Sequence, residues 1–145
     1  MNPIHINPLK DIKSIDDVKK TVNNIMESRT EEKDPFWDGA VKALLEALIF
    51  YVCATTLNPD VHDVFRLLQY TIAPPDPADL TAPQKSSVDI AFENLERNKG
   101  KLVGNAALYE EEAIKAYKTF KLAPAKTASG VVITAQECLQ PYVLS

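Results

Sequence analysis

The side chains best suited to chemistry in this sequence lie in two short charged stretches. Glu110, Glu111 and Glu112 form the densest acidic run. The run has three interpretations: it complements the dipole of a helix that begins just before it, it is an acidic spot for a basic partner, or it supplies a catalytic carboxylate pair. A basic cluster precedes it and is either solvated surface or a contact for phosphate or an acidic partner segment. Its members are Arg97, Lys99 and Lys101.

Residues that bind metals, hold phosphates or act as nucleophiles lack the spacing that those tasks require. His5 and His62 are far apart in the sequence, and His62 is predicted to decorate a helix surface. Cys53 and Cys138 fall in predicted helices, which favours reduced, buried thiols over metal ligands. Neither G-x-x-x-x-G-K-[ST] nor G-x-G-x-x-G occurs, so no phosphate-binding loop is encoded. We therefore expect no metal, no cofactor and no catalytic residue in this chain.

The composition is that of one globular domain with a sizeable core. The chain has 145 residues, of which 46% are apolar and 25% are charged. A net charge of −4 argues against a general binder of nucleic-acid backbone, although a local basic patch remains compatible with it. No stretch reaches the ~20 uninterrupted apolar residues of a membrane-spanning helix. We expect a single domain over residues 1–145, acting in the cytoplasm.

Apolar spacing and capping residues predict an all-α fold of six to seven helices, with no convincing strand. Residues 73–85 hold four prolines and are predicted to form a loop. Tyr109, Tyr117 and Phe120 have helical spacing, which places them in the core before any role in stacking on bases. The predicted helices begin at Ser14, Pro35, Pro59, Ser86, Asn105 and Pro124. The first is expected to run to about Arg29. The third is expected to have Asn58 as its N-cap and an inward-facing apolar stripe that ends at Ile72.

The second predicted helix is apolar on nearly every side. Asp34 is a good N-cap and Pro35 suits the first helical position. Polar residues fall on one line, Asp38, Lys42 and Glu46, with alternating charge. This pattern predicts a central helix with one narrow solvent edge. Gly130, in the middle of the sixth helix, costs about 1 kcal/mol relative to Ala, and a close helix crossing there would be one reason for a glycine.

Three segments of the chain resemble a known family. The run from Asp34 to Trp37, followed by residues 43–49, looks like the opening helix of the all-alpha domain in the coupling proteins of type IV secretion and conjugation. Residues 116–133 look like that domain's closing segment, and Ile6 to Leu9 with the residues that follow look like its lead-in. The middle of the chain, about 57–105, shows no such likeness.

The resemblance implies a substrate-recognition role. In that family the all-alpha domain is inserted into a membrane-associated, hexameric RecA-like ATPase, and it helps to recognise the relaxase, accessory relaxosome proteins or secreted effectors. ATP and Mg²⁺ would bind the motor domain, whose motifs this chain lacks. Residues 1–13 and 141–145 would then be remnants of the connections to the motor, with the two ends close together. The isolated domain is expected to be monomeric.

Exposure and charge nominate the residues that contact a partner. Besides protein recognition, two other hypotheses remain: a helical module that binds DNA directly, which is also implied by a resemblance to the helical domain of tyrosine recombinases, and a small helical enzyme or ligand-binding bundle. The outer helices and loops are expected to carry the binding surface. The predicted partner-binding residues are Asp76, Asp79, Lys85, Arg97, Lys99, Lys101, Glu110 and Glu111.

Overall fold

The computed structural model describes residues 7–27, 34–72 and 85–144. Within these ranges the chain forms helices and no strand, which confirms the all-α fold class. None of these helices combines the length and apolar character that a membrane crossing requires. The six helices are α1 (Ile15–Glu27), α2 (Pro35–Thr55), α3 (Val61–Leu68), α4 (Ser87–Arg97), α5 (Asn105–Phe120) and α6 (Ala125–Val143).

Helix α2 is the centre of the fold, as its composition predicts. The Asp34 carboxylate accepts hydrogen bonds from the backbone N–H groups of Phe36 (3.0 Å) and Trp37 (3.3 Å), which fixes where the helix begins. The helix packs against α1, α3, α5 and α6, most extensively against α5. Because neighbours surround it, ten of its residues are buried: Val41, Ala43, Leu44, Leu45, Ala47, Leu48, Ile49, Phe50, Val52 and Ala54.

The predicted solvent edge of α2 is narrower than its charges suggest. Lys42 is exposed, whereas Asp38 and Glu46 are half-buried. Burial raises the pKa of the Glu46 carboxyl, and Lys42 and Lys19 oppose that rise by their charge. In addition, the first turn of α2 leaves the Phe36 ring 66% exposed, which the sequence did not indicate.

An aromatic cluster joins α4 and α5 to α2. The rings of Phe92 and Tyr117 stack with centroids 4.0 Å apart and planes within 3°. Tyr51 of α2 packs against Phe92 at 5.2 Å, and Phe120 packs against Tyr117 at 5.8 Å. Tyr109, Tyr117 and Phe120 are buried, which confirms their assignment to the core.

The prediction for α3 is wrong at both ends. Asn58 and Pro59 do not cap it; Asp60 does, because its carboxylate accepts from the backbone N–H of His62 (2.8 Å) and its own N–H donates to Asp63 (3.3 Å). The helix stops at Leu68, and Ile72, predicted to face inward, is 41% exposed. Beyond Leu68 the chain turns so that Tyr70 O accepts from Val88 N (3.2 Å), which ties this turn to the start of α4.

Both ends of the described chain meet the first turn of α3. The Asn7 side chain donates to Pro59 O (3.0 Å) and accepts from Val61 N (3.2 Å). The His62 ring places Nε2 3.3 Å from Val143 O, near the end of α6. His62 is on the surface as predicted, but it also contacts the C-terminal helix. The expectation that the two ends of the chain lie close together also involves residues 1–6 and 145, which lie outside the described residues.

Other predictions fall outside the described residues. They concern His5, Ile6, the end of the first helix near Arg29, and the proline-rich loop apart from its last residue, Lys85.

The crossing of α2 and α6 depends on a glycine. The Trp37 indole lies over Gly130, where a Cβ would come within 2.5 Å of the ring carbon Cη2. The indole Nε1–H also donates to Thr134 Oγ1 (3.2 Å), one turn further along α6. The close crossing predicted at Gly130 is therefore present, and Trp37 is the group that occupies the space.

We expect Gly130→Ala to lower the free energy of unfolding by about 1–3 kcal/mol, because the indole must move and overpacking costs more than the gain in helix propensity. Gly39→Ala is the matched control. A Cβ added at position 39 in α2 would have no atom within 4 Å. The free energy of unfolding of Gly39→Ala should therefore rise by up to about 1 kcal/mol. Urea unfolding of both variants measures the difference. Stabilisation of equal size by the two alanines would contradict the proposed role of the crossing.

Candidate functional site

Helix α4 lies over α5 and has a groove on each side. Its start is fixed by a capping box: Asp89 N donates to Ser86 Oγ (2.9 Å), and Ser86 N donates to Asp89 Oδ2 (2.9 Å). Val88 and Phe92 point into the core and hold the helix down. Because α4 buries only this stripe, its two flanks line the two grooves. They form the candidate site.

The first groove, called the charged groove, lies between α4 and α5 and has a volume of about 310 Å³. Its floor is apolar and its rim consists of lysines paired with carboxylates. The ion pairs are Lys121–Asp89 at 3.1 Å, Lys118–Glu96 at 2.7 Å and Lys85–Glu93 at 2.8 Å. The floor consists of Phe92, Ile114 and Tyr117.

Asp89 is the central group of the charged groove. One of its oxygens accepts from the Tyr117 hydroxyl and from Lys121 Nζ, and the other accepts from the N-cap backbone of Ser86. Burial by itself raises the pKa of the Asp89 carboxyl, but these hydrogen bonds and the Lys121 charge outweigh it and the pKa is lowered. Burial and the bond to Asp89 raise the pKa of the Tyr117 hydroxyl. Asp89 therefore stays ionised and joins α4 to α5.

The other two pairs of the charged groove lie at the surface. The side chains of Lys85, Glu93, Lys118 and Glu96 are 44–65% exposed. Exposed pairs of this kind contribute about 0–1 kcal/mol each, so a partner can exchange them at low cost. The groove thus has a fixed part, at Asp89, and an exchangeable rim.

The second groove, called the amide groove, lies between α4 and the adjoining parts of α2 and α5, with a volume of about 320 Å³. Its rim carries two asparagines that bind cations of this chain: Arg97 donates to Asn94 Oδ1 (3.3 Å), and Lys101 donates to Asn98 Oδ1 (3.2 Å). The remaining lining residues are Tyr51, Thr55, Ala91, Leu95, Leu102 and Glu110.

The exposure expected for Glu110 is wrong. Its side chain is buried, with 4% of the residue exposed, and it accepts a hydrogen bond from Gly100 N (3.3 Å). Gly100 and Gly104 both have positive φ, at 99° and 63°. This backbone turns the loop after α4 back onto α5, so that a loop amide meets Glu110. The helix-start interpretation of the acidic run also loses support, because α5 begins at Asn105 and its first turn contains no acidic residue.

The structure separates the other predicted residues. Arg97, Lys99 and Glu111 are exposed, and Lys101 lies on the rim of the amide groove. Lys85 belongs to the charged groove. Asp76 and Asp79 lie outside the described residues. The six predicted positions that the structure describes therefore do not form one patch.

Sequence reasoning missed most of the charged groove. The start of α4 at Ser86 was predicted correctly, and Asp89 three residues later was the available signal, because it completes the capping box. Nothing local indicated that Tyr117, 28 residues away, donates to it. Lys121 follows Tyr117 by one helical turn, and Lys118 lies beside it on the same groove.

The two residues with reactive thiols, Cys53 and Cys138, pack in or against the hydrophobic core. Cys138 is buried and Cys53 is half-buried. Burial raises the pKa of Cys53 to about 11, so it remains protonated near neutral pH. Across residues 7–27, 34–72 and 85–144, no three His, Cys, Asp or Glu side chains come together as a metal site. The binding groups that the two grooves offer are an aromatic floor, amide oxygens and ion pairs.

Comparisons of the chain with protein-family models, with curated proteins and with solved structures found no match.

Asp89→Asn should lower the free energy of unfolding by about 1–3 kcal/mol at pH 7, because the Tyr117 hydroxyl and Lys121 lose a charged acceptor. The pKa of Asp89 is lowered in the folded chain, so its contribution is complete above the unfolded carboxyl pKa of about 4 and is lost as pH falls through the folded value. The difference between wild type and variant should therefore shrink below about pH 4.

Urea unfolding at pH 7, 5, 4 and 3 measures this dependence. Glu93→Gln is the control on the same helix, because it removes an exposed pair and should change the free energy of unfolding by less than about 1 kcal/mol. An Asp89→Asn deficit that stays constant over the whole pH range would refute the role of the ionised carboxylate.

Proposed function

We propose that this chain is a recognition domain that docks protein partners along α4. The proposal rests on the residues that line the charged groove. It combines an aromatic floor with a rim of exposed ion pairs, which is the arrangement of an apolar interface centre with a polar margin. A partner's charged side chains can replace rim pairs one for one, and the apolar floor then provides the attraction.

The charges of the charged groove favour a protein partner over nucleic acid. Its three lysines face three carboxylates, so the site presents no net positive field to a phosphate backbone. The weak rim pairs also suit an interaction that forms and releases readily, because little free energy is lost when they open.

The resemblance to type IV coupling proteins supplies the class of partner. We infer that the domain docks a relaxase, relaxosome accessory proteins or secreted effectors to a motor at the cytoplasmic face of a membrane, while ATP and Mg²⁺ bind that motor. Contacts within the fold support the inference. The segments that resemble the opening helix and the closing segment of the family's domain pack on each other where Trp37 covers Gly130. Both described ends also meet at the first turn of α3, as an inserted domain requires.

One observation favours direct DNA binding as a second function. Arg97, Lys99 and Lys101 are exposed together where α4 ends. Two of them bind the asparagines of the amide groove, and they lie beside the chain's acidic run rather than in a broad basic face. DNA binding through this cluster would weaken steeply with salt and would be abolished by changing all three residues to Glu.

We expect the domain to bind a relaxase, an accessory protein or an effector encoded beside it, and Lys118→Glu to weaken that binding by tenfold or more. The substitution places a carboxylate beside Glu96 and removes one exchangeable pair of the charged groove. Lys115→Glu is the matched control on α5, because Lys115 is equally exposed and lies outside the groove. Titration of immobilised domain gives the affinities, and thermal unfolding checks that both variants stay folded.

Failure to bind any of these proteins would count strongly against the proposal. Equal losses for the two variants would show a general charge effect rather than docking in the groove. Salt-sensitive DNA binding that is lost on changing the basic cluster, without protein binding, would favour the second function.

A further inference from the structure

We propose that Glu110 binds the guanidinium group of an arginine that a protein partner inserts into the amide groove. This inference rests on the proposed function, since it takes α4 as the docking surface, and it names the chemistry that one side of that surface recognises. The charged groove is not required for it.

The Glu110 side chain is buried and only partly hydrogen-bonded. The residue is 4% exposed and lines the groove. Gly100 N–H, at 3.3 Å, donates the one hydrogen bond that the carboxylate receives from the part of the chain that the structure describes. A carboxylate offers about four acceptor positions, and a buried charge is costly unless it is paired. Glu110 therefore has acceptor capacity left for a cationic donor.

The rim of the amide groove already binds cations through amide oxygens. Asn94 Oδ1 already accepts from a guanidinium, that of Arg97. Asn98 donates through its amide nitrogen to Asn94 O (2.9 Å), which orients its oxygen toward the Lys101 ammonium. Both amide oxygens thus face cations. A cation that enters the groove finds oriented acceptors at its mouth and a carboxylate further in.

The shape and lining of the groove select guanidinium over ammonium. The Tyr51 side chain and the aliphatic side chains of Leu95 and Leu102 line it. A guanidinium is planar, is weakly hydrated and stacks on aromatic faces while its five N–H groups donate in one plane. An ammonium is compact and strongly hydrated. Lys101 illustrates this, because its amino group stays at the exposed rim on Asn98.

Chemical-shift titration of the whole ¹⁵N-labelled chain tests the inference. The probe is N-acetyl-argininamide, with N-acetyl-lysinamide and N-acetyl-norleucinamide as controls. Because Gly100 N–H donates to Glu110, its resonance reports directly on the carboxylate. We expect a saturable shift with the arginine probe at a Kd on the order of 1 mM. Binding of the lysine probe should be at least fivefold weaker, and the norleucine probe should cause no shift.

Two neighbouring glutamates give a matched pair of variants. Glu110→Gln keeps an acceptor for Gly100 N–H and should weaken the arginine probe tenfold or more. Glu111→Gln removes an exposed charge at the next position and should leave the Kd within twofold. Lys101→Met removes the competing ammonium from the rim and should strengthen binding severalfold, which provides a test that does not depend on the stability of Glu110→Gln.

The outcomes separate this inference from the proposed function. Unchanged probe binding in Glu110→Gln, equal Kd values for the arginine and lysine probes, or no shift of Gly100 would overturn the inference. Protein partners that still bind the domain in those cases would leave the proposed function standing. Probe binding as expected, without binding of any protein partner, would support the arginine site and count against the proposed function.

Discussion

Nearly complete burial of α2 is the constraint on which the rest of this structure depends. A helix that is apolar on almost every side must be covered by other elements, and α1, α3, α5 and α6 all pack against it. Two contacts near the start of α2 fix how its neighbours pack against it. Asp34 fixes the first turn, and the Trp37 indole that this turn carries fits over Gly130 of α6. Because the other four helices cover most of α2, α4 is left on the outside. Val88 and Phe92 anchor it in the core, and Asp89 binds Tyr117 and Lys121 of α5.

The position of α4 explains why the candidate site lies there. Asp89 serves two tasks at once, since it closes the capping box of α4 and accepts from Tyr117 and Lys121 of α5. The other polar residues of α4 therefore lie on its two exposed flanks and do not anchor the helix to the core. On one flank they form exposed, exchangeable ion pairs. On the other flank, amide oxygens stand above the buried carboxylate of Glu110. The proposed recognition surface therefore has one adaptable side and one selective side because of how this helix is attached.

Most of the fold was predictable because its signals are local. An N-cap residue binds N–H groups two or three positions away, so Asp34 and Ser86 mark helix starts without help from the rest of the chain. Apolar stripes at helical spacing likewise identified the core face of α5. The prediction went wrong at α3, where the N-cap is Asp60 and not Asn58. Asp60 prevailed over Asn58 because Asp63 reciprocates its bond and the Asn7 side chain binds the backbone on either side of it.

The sequence by itself determined the all-α class and the central place of α2, because caps and periodicity act over a few residues. The lack of room for a side chain at position 130 is a tertiary effect, since Trp37 of another helix occupies that space. Only the tertiary structure decided the site. The bond from Tyr117 to Asp89 spans 28 positions, and the burial of Glu110 depends on a loop whose direction is set by positive φ at Gly100 and Gly104. Both results need two helices to be placed against each other, and that placement is fixed by packing around α2 rather than by any local pattern.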